Sequence, residues 1–154
     1  MKKRRYVINL ANRIIKELKP LSKKIQIAGS IRRKEKNPRD IDIVLIPKNK
    51  EKIEEFLNKK GKFVQGGKKE ATFKIEGVKV ELYYTVPEEW GAMLLAYSGK
   101  RGSNIGLRII ARSKGFKLSR HGLFNRKTRK RLAGRTEREI YGALGREWKI
   151  PENR

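Results

Sequence analysis

The chain has 154 residues, a length that suits one compact domain or two small subdomains and argues against a multi-module protein. It carries 41 lysine and arginine residues against 16 aspartate and glutamate residues, a net charge of +25. Such an excess is typical of proteins that bind a polyanion, and nucleic acid is the expected partner. The alternative is the solvated surface of a heat-adapted protein, but balanced ion-pair networks would need far more glutamate.

Other features of the sequence exclude several kinds of site and location. The sequence contains no cysteine, which excludes disulfides and thiolate metal sites. Its basic start is similar to the charged part of a secretion signal, but Asn9, Asn12 and Lys16 interrupt the apolar segment that a signal needs. No stretch is apolar enough to span a membrane. We therefore expect a cytoplasmic protein of a bacterial, archaeal or virus-infected cell, with no membrane partner.

The first half of the sequence predicts a mixture of helices and strands. An amphipathic pattern that ends at Pro20 indicates an opening helix, and Glu76-Gly77 between two apolar segments indicates a hairpin. In order, the predicted elements are a helix over 7–18, strands over 25–28 and 41–46, a short helix near Ile53, a glycine-rich loop at 66–67, and strands over 72–75 and 78–84.

From residue 88 the sequence becomes more helical and more basic. A helix is predicted over 90–97, and Ser103 is expected to cap a second helix that runs to about Lys114. Residues 125–131 indicate a basic loop or hairpin tip. Thr136 to Glu139 form a capping box for a last helix, which stops at Gly145.

Two short motifs indicate the chemistry. Asp40 and Asp42 are two residues apart on a predicted strand, so their carboxylates share a face and can hold a hard divalent cation. Upstream, Gly29 lets the backbone approach a phosphate, Ser30 donates a hydroxyl, and Arg33 offers charge-assisted hydrogen bonds. A cation site beside an anion-binding segment indicates nucleotidyl transfer.

A third acidic residue supports this interpretation. Glu81 is an unusual charge within an apolar strand and could lie beside the Asp40–Asp42 pair. The pair alone is a weak signal, because carboxylates on strands are common on solvated faces. The upstream motif and Glu81 together favour the functional interpretation.

These motifs, with ordered matches further along the chain, resemble DNA polymerase family X, the polymerase-beta-like group. The resemblance implies an α+β fold: a palm over residues 1–91, with a mixed or antiparallel sheet and helices on one face, and a small, mostly helical thumb over 92–154. As in the smallest virus-type members, neither a lyase domain nor helix-hairpin-helix fingers are expected. The matching segments are 29–33, 40–42, the strand around Glu81, 97–99, Asn104, Arg108, 114–116, 122–124, 136–145 and 150–152.

The resemblance also implies a role for each matching residue. The metal ligands would be Asp40, Asp42 and Glu81, which would hold two Mg²⁺ ions, or Mn²⁺ in their place, with Lys79 supporting Glu81. The nucleotide would be bound by Gly29, Ser30, Arg33, Ala96, Tyr97, Gly99 and Asn104, and template DNA would be contacted by Arg108, Arg112 and Lys114. Gapped or nicked primer-template DNA and nucleoside triphosphates are the implied partners of a monomeric protein.

Two residues depart from the family pattern. Glu81 stands where aspartate is typical, and its extra methylene predicts slower turnover or a preference for Mn²⁺. Ala96 stands where strict DNA polymerases carry an aromatic residue, which predicts weak discrimination between ribonucleotides and deoxyribonucleotides.

The predicted function is template-directed DNA synthesis from a primer 3′ hydroxyl, filling short gaps in DNA repair. Another nucleotidyltransferase of the same superfamily, acting on RNA ends, is an alternative. A non-catalytic basic protein that binds nucleic acid is the alternative of a different class. In that protein, carboxylates on a strand amid so much positive charge would have no purpose.

Overall fold

A computed structural model describes residues 2–154, with side chains from Arg5 onward. The chain divides into two compact units, Met1–Thr85 and Val86–Arg154, and each has its own cluster of buried apolar side chains. Both units combine helices with a sheet, so the predicted α+β fold class is confirmed. Within the described residues, no helix has the length and apolar character needed to cross a bilayer.

The first unit is built on a five-stranded mixed sheet. Its elements are α1 (Lys2–Leu18), β1 (Ser22–Ala28), α2 (Gly29–Arg32), β2 (Ile41–Pro47), α3 (Lys50–Lys60), β3 (Lys62–Gly66), β4 (Glu70–Ile75) and β5 (Val78–Tyr84). The strand order is β1-β2-β5-β4-β3, with β2 and β5 parallel and the other neighbours antiparallel. Parallel neighbours need a long connection, and α3, β3 and β4 provide it.

Helix α1 contributes to the core because its apolar residues recur at helical spacing. A 3₁₀ turn over Lys19–Leu21, which contains Pro20, follows the helix and leads into β1. The predicted buried face is confirmed by five side chains that are at most 5% exposed: Val7, Leu10, Ala11, Ile14 and Leu18.

The hairpin between β4 and β5 turns at Glu76 and Gly77, as predicted. Both residues have positive φ angles, 49° and 81°, which suit the twist of a two-residue hairpin. The Tyr6 hydroxyl donates to the Glu76 carbonyl at 2.7 Å, and Arg13 pairs with the Glu76 carboxylate at 3.0 Å. These contacts fasten the hairpin to α1 and support β5, which carries Glu81.

Strand β3 was not predicted. The sequence indicated a glycine-rich loop at 66–67, whereas the chain is extended from Lys62 to Gly66 and pairs with β4 at the edge of the sheet. Every residue of β3 is exposed, so the strand lacks the apolar alternation that would have marked it.

The second unit combines three helices with a small antiparallel sheet in the order β6-β7-β8. Its core includes Leu95 of the first helix, Leu107 of the second, Leu123 of the sheet and Ile140 of the last helix. The elements are α4 (Trp90–Ser98), α5 (Arg101–Ser113), β6 (Phe116–Ser119), β7 (Gly122–Asn125), β8 (Arg131–Ala133) and α6 (Glu137–Ala143). The predicted basic hairpin tip connects β7 and β8.

The helix ends of this unit test the predicted caps. The Thr136 side chain accepts a hydrogen bond from the Glu139 amide at 3.1 Å, and Gly145 has a φ of 70°, which confirms the start and the stop of α6. The expected cap of α5 at Ser103 is wrong. The helix begins at Arg101, because the extended backbone of Lys100 already places its carbonyl to accept from the Asn104 amide at 3.0 Å.

A buried ion pair fastens the last residue to α6. Arg154 Nη1 donates to Glu137 Oε2 at 2.7 Å, and the two side chains are 0% and 6% exposed. The Arg154 guanidinium also donates to the Lys149 carbonyl at 2.9 Å and lies 5.6 Å from the Trp148 ring and 5.7 Å from the Tyr141 ring. The Arg154 side chain is therefore buried against α6 and its neighbours.

Candidate active site

Asp42 and Glu81 lie side by side in the sheet of the first unit. Asp42 is the register partner of Glu81 across the parallel pair β2 and β5, and Ala28 at the end of β1 is its partner on the other side. Asp40 lies just before β2 and is exposed. Both Glu81 and Asp40 are close enough to Asp42 to raise the pKa of its carboxyl group. The sheet therefore places Asp42 beside Glu81, and Asp40 lies near enough to act on the Asp42 carboxylate through its charge.

Asp42 is the most perturbed of these acids. Burial, and then the charge of Glu81, raise the pKa of Asp42 from 3.8 to about 6, although the nearby Tyr83 hydroxyl opposes the shift. At neutral pH the carboxylate is therefore ionised at a cost in free energy. A cation beside it would remove that cost.

Gly29 begins α2 and lies directly against Asp42. Its φ is +62°, and a Cβ added to it would overlap Asp42 Oδ2. Glycine is thus required both by the left-handed backbone and by the close approach. The predicted Gly-Ser turn is the start of a short helix, and this start is adjacent to Asp42 because Ala28 pairs with that residue.

Ser30 and Arg33 follow on the same short segment. The Arg33 amide donates to the Gly29 carbonyl at 3.1 Å, which closes the helical turn. Its guanidinium donates through Nε and Nη2 to Glu35 Oε1, at 3.1 and 3.0 Å. The Arg33 side chain is 16% exposed, so Glu35 orients a partly buried cation near the acids' end of the sheet.

Glu81 is engaged on both carboxylate oxygens. Lys79 Nζ lies 2.7 Å from Oε1, and the Tyr83 hydroxyl donates to Oε2 and lies 3.4 Å from Asp42 Oδ1. Burial raises the pKa of Glu81, but the hydrogen bonds from Lys79 and Tyr83 outweigh it and leave the pKa below its ordinary value. The hydrogen bond to Glu81 is also the main cause of the raised pKa of Lys79.

Two members of this site were not predicted from the sequence: Glu35, which orients Arg33, and Tyr83. Lys79, Glu81 and Tyr83 alternate along β5, so a strand places them on one face. That spacing was a usable signal, but a tyrosine in an apolar strand is more often a core residue. Its role depends on the neighbouring strand, which carries Asp42.

The donor set suits a hard divalent cation. Carboxylate oxygens are the ligands that Mg²⁺ and Mn²⁺ prefer, and neighbouring like charges gain most from a cation. As they stand, no three acidic, histidine or cysteine side chains among residues 2–154 are placed to enclose an ion. Glu81 is instead engaged by Lys79 and Tyr83, as described above.

The predicted nucleotide-binding residues of the second unit meet where α4 ends. Asn104 Nδ2 donates to the Ala96 carbonyl at 2.9 Å and to the Gly99 carbonyl at 3.3 Å. A Cβ on Gly99 would overlap Asn104 Oδ1, so a larger residue here would displace the Asn104 amide. The Tyr97 hydroxyl accepts a hydrogen bond at 3.0 Å from Arg120, which was not predicted for the site.

The residues predicted to contact template DNA lie on or just after α5. Arg108 and Arg112 are one helical turn apart and line an open groove of about 460 Å³. Ile105 and Ile109, which are 44% and 63% exposed, line the same groove. Lys114 follows the helix at its C-cap and is exposed. Helix α5 thus presents a surface that is both basic and apolar.

Comparisons with known proteins agree with both units. The family model described as DNA polymerase beta thumb matches residues 93–154. The "Repair DNA polymerase X" of a warthog isolate of African swine fever virus is 31% identical over 147 residues, covering 89% of this chain and 84% of the viral protein. The same-named protein of a tick isolate has the same identity and coverage. "DNA polymerase IV" of Saccharomyces cerevisiae is 39% identical over 67 residues, 44% of this chain and 11% of the yeast protein.

The chain therefore belongs to DNA polymerase family X, the polymerase-beta-like group, and the resemblance drawn from its motifs is confirmed.

Proposed function

We propose that this protein, a DNA-directed DNA polymerase of family X, fills short gaps during DNA repair by adding nucleotides to a primer 3′ hydroxyl. The observation that best supports this is the pairing of Asp42 with Glu81, with the Cα of Gly29 against the Asp42 carboxylate. We assign the palm role to the first unit and the thumb role to the second.

Asp40, Asp42 and Glu81 would hold the divalent cations, which we take to be two Mg²⁺ ions with Mn²⁺ as a substitute. When bound, these ions lower the pKa of the primer hydroxyl and neutralise charge on the triphosphate. In the reaction the primer hydroxyl would give up its proton to water, its oxygen would bond to the α-phosphorus, and the bond from that phosphorus to pyrophosphate would break. Asp42 and Glu81 are fixed on adjacent strands, so little reorganisation is needed at the moment of reaction.

Other residues would bind the substrates. Ser30 and Arg33 are assigned to the triphosphate, with Glu35 orienting the Arg33 guanidinium. Tyr97, Gly99 and Asn104 are assigned to the nucleotide and Arg108, Arg112 and Lys114 to the template strand. Because the net charge is +25, phosphate contacts should dominate DNA affinity, and binding should weaken steeply as salt is raised.

Primer extension tests the proposal. The substrates are DNA with a one-nucleotide gap, a blunt DNA primer and an RNA 3′ end, each with every nucleotide in turn and with Mg²⁺ or Mn²⁺. A gap-filling polymerase should insert the complementary nucleotide at the gap and extend the other two ends poorly. Untemplated extension of RNA would instead identify an RNA-end nucleotidyltransferase.

Replacing Gly29 by alanine is expected to reduce nucleotide addition about a hundredfold, because the new Cβ displaces the Asp42 carboxylate and misplacement by about 1 Å can cost that much. Gly77→Ala is the matched control. Gly77 also has a left-handed backbone, with a φ of +81°, but an added Cβ meets no atom within 4 Å. Both variants should be less stable by about 1 to 2 kcal/mol in thermal unfolding. Equal activity of G29A and G77A in primer extension would contradict the assignment of Asp42 and the adjacent Gly29 to the active site.

Replacing Ala96 by tyrosine is expected to increase the preference for deoxyribonucleotides. Alanine offers no bulk against a sugar 2′ hydroxyl, so we propose that the wild type discriminates weakly between the two sugars. The ratio of kcat/KM for dNTP and rNTP, measured for wild type and A96Y on gapped DNA, checks this. Strong and equal rejection of rNTP by both proteins would refute it.

A further inference from the structure

Glu81 is restrained by two neighbours on its own strand. Lys79 Nζ lies 2.7 Å from Oε1, and the Tyr83 hydroxyl donates to Oε2. A glutamate has one more rotatable bond than the aspartate typical at this position of the family. An unrestrained side chain of that length would lose more conformational entropy on binding a cation. With each oxygen engaged, much of that freedom is lost beforehand.

The two restraints differ in strength. The Lys79 side chain is 53% exposed, so water and salt screen its charge. Tyr83 is only 6% exposed, so packing fixes the ring and its hydroxyl is the more rigid partner. That hydroxyl also lies 3.4 Å from Asp42 Oδ1. One buried phenol thus spans the acids of β2 and β5.

We propose that Tyr83 is a positioning residue that adapts the site to glutamate, holding Glu81 beside Asp42 so that both carboxylates can meet the same cation. The inference rests on the proposed function, because it takes these carboxylates to be cation ligands. An aspartate in place of Glu81 would be one carbon shorter, and its oxygens would draw back from Tyr83. The Tyr83 hydroxyl is therefore at the right distance to hold a glutamate at position 81 and too far to hold an aspartate there.

Binding of Mn²⁺ alone to the full chain, followed by electron paramagnetic resonance, tests this without relying on activity. The proteins are wild type, Y83F, E81D and the double variant. Loss of a hydrogen bond that orients a metal ligand typically lowers affinity about 10- to 100-fold, so Y83F should bind Mn²⁺ at least about tenfold more weakly. In the E81D background, the same substitution should change affinity less than about twofold.

Tyr84→Phe is the matched control. Tyr84 is also 6% exposed on β5, but it is on the opposite face, and its hydroxyl donates to Glu54 at 3.0 Å. Y84F should lose stability in thermal unfolding to a similar extent as Y83F and should bind Mn²⁺ like wild type.

The outcomes separate the inference from the proposed function. If Y83F lowers only the unfolding temperature, or weakens Mn²⁺ binding equally with and without E81D, the inference is overturned. Asp42→Asn tests the function itself. If D42N loses Mn²⁺ and Y83F does not, only the inference fails. If D42N binds Mn²⁺ as tightly as wild type, the cation site is elsewhere and both fail.

Discussion

Replacing Asp42 by asparagine is expected to abolish nucleotide addition and, at the same time, to stabilise the cation-free protein. Activity should fall about a thousandfold or more, because a lost ligand removes several kcal/mol of charge stabilisation in the transition state. Stability should rise because burial, and then the charge of Glu81, raise the pKa of Asp42 from 3.8 to about 6. At neutral pH the ionised carboxylate therefore costs up to about 3 kcal/mol of folding free energy.

The sign of this effect gives it a pH signature. Since the folded pKa is raised, the native carboxyl group retains its proton where the unfolded chain has released it, and the penalty develops between about pH 4 and pH 6. In a chelating buffer, D42N should have a higher unfolding temperature than wild type at about pH 7.5, and the difference should vanish near pH 4. Mg²⁺ should stabilise the wild type and not D42N.

Asp40→Asn is the control for this experiment. Asp40 is exposed, so its neutral variant should lose activity without comparable stabilisation. Near-normal incorporation by D42N, or a lower unfolding temperature at neutral pH, would contradict the placement of a strained carboxylate at the reaction centre.

Replacing Arg154 by alanine is expected to destabilise the second unit by about 3 to 5 kcal/mol, the usual effect of removing one partner of a buried ion pair. Its guanidinium is 2.7 Å from Glu137 Oε2, and neither side chain is more than 6% exposed. The substitution removes this partner from a buried carboxylate. It also removes the guanidinium near Trp148 and Tyr141.

Urea unfolding of a small set of variants isolates the charge effect. E137Q in the R154A background should recover part of the lost free energy of unfolding, because the buried carboxylate of Glu137 is then replaced by a neutral amide. Arg135→Ala is the matched surface control. Arg135 and Glu88 are 3.5 Å apart with side chains 62% and 50% exposed, so this loss should be below about 1 kcal/mol. If R154A and R135A unfold at the same urea concentration, the buried pair contributes little.

The parts of the fold that could be predicted from the sequence are those with a local physical cause. Helix α1 shows the 3.6-residue period of its buried face, and Glu76-Gly77 matches the backbone of a tight hairpin. Strand β3 could not be recognised, because a fully exposed edge strand has no buried face to produce a pattern. Ser103 was expected to cap α5 because a serine side chain can accept a hydrogen bond from a backbone amide. The helix starts earlier, because the Lys100 carbonyl already accepts from the Asn104 amide and closes the first turn.

The candidate site likewise has a part that local sequence predicts and a part that it does not. Asp40 and Asp42 are neighbours in sequence, so their shared location follows from strand geometry alone. The pairing of Asp42 with Glu81 is a non-local contact between parallel strands, which the unusual charge of Glu81 in an apolar strand suggested but no spacing rule could place. The bridging role of Tyr83 and the attachment of Asn104 to two carbonyls depend on side-chain positions that no spacing rule supplies.

The exposed edge strand β3 has a consequence for handling the protein. Phe63 and Val64 are 42% and 55% exposed, and an open edge of this kind can pair with a second copy into aggregates. A bulge between Phe63 and Gln65 and the lysines at 59, 60, 62, 68 and 69 discourage that pairing through shape and repulsion. High salt, used to strip nucleic acid during purification, weakens the repulsion. Solubility should therefore be best at moderate ionic strength, with carried-over nucleic acid removed by nuclease.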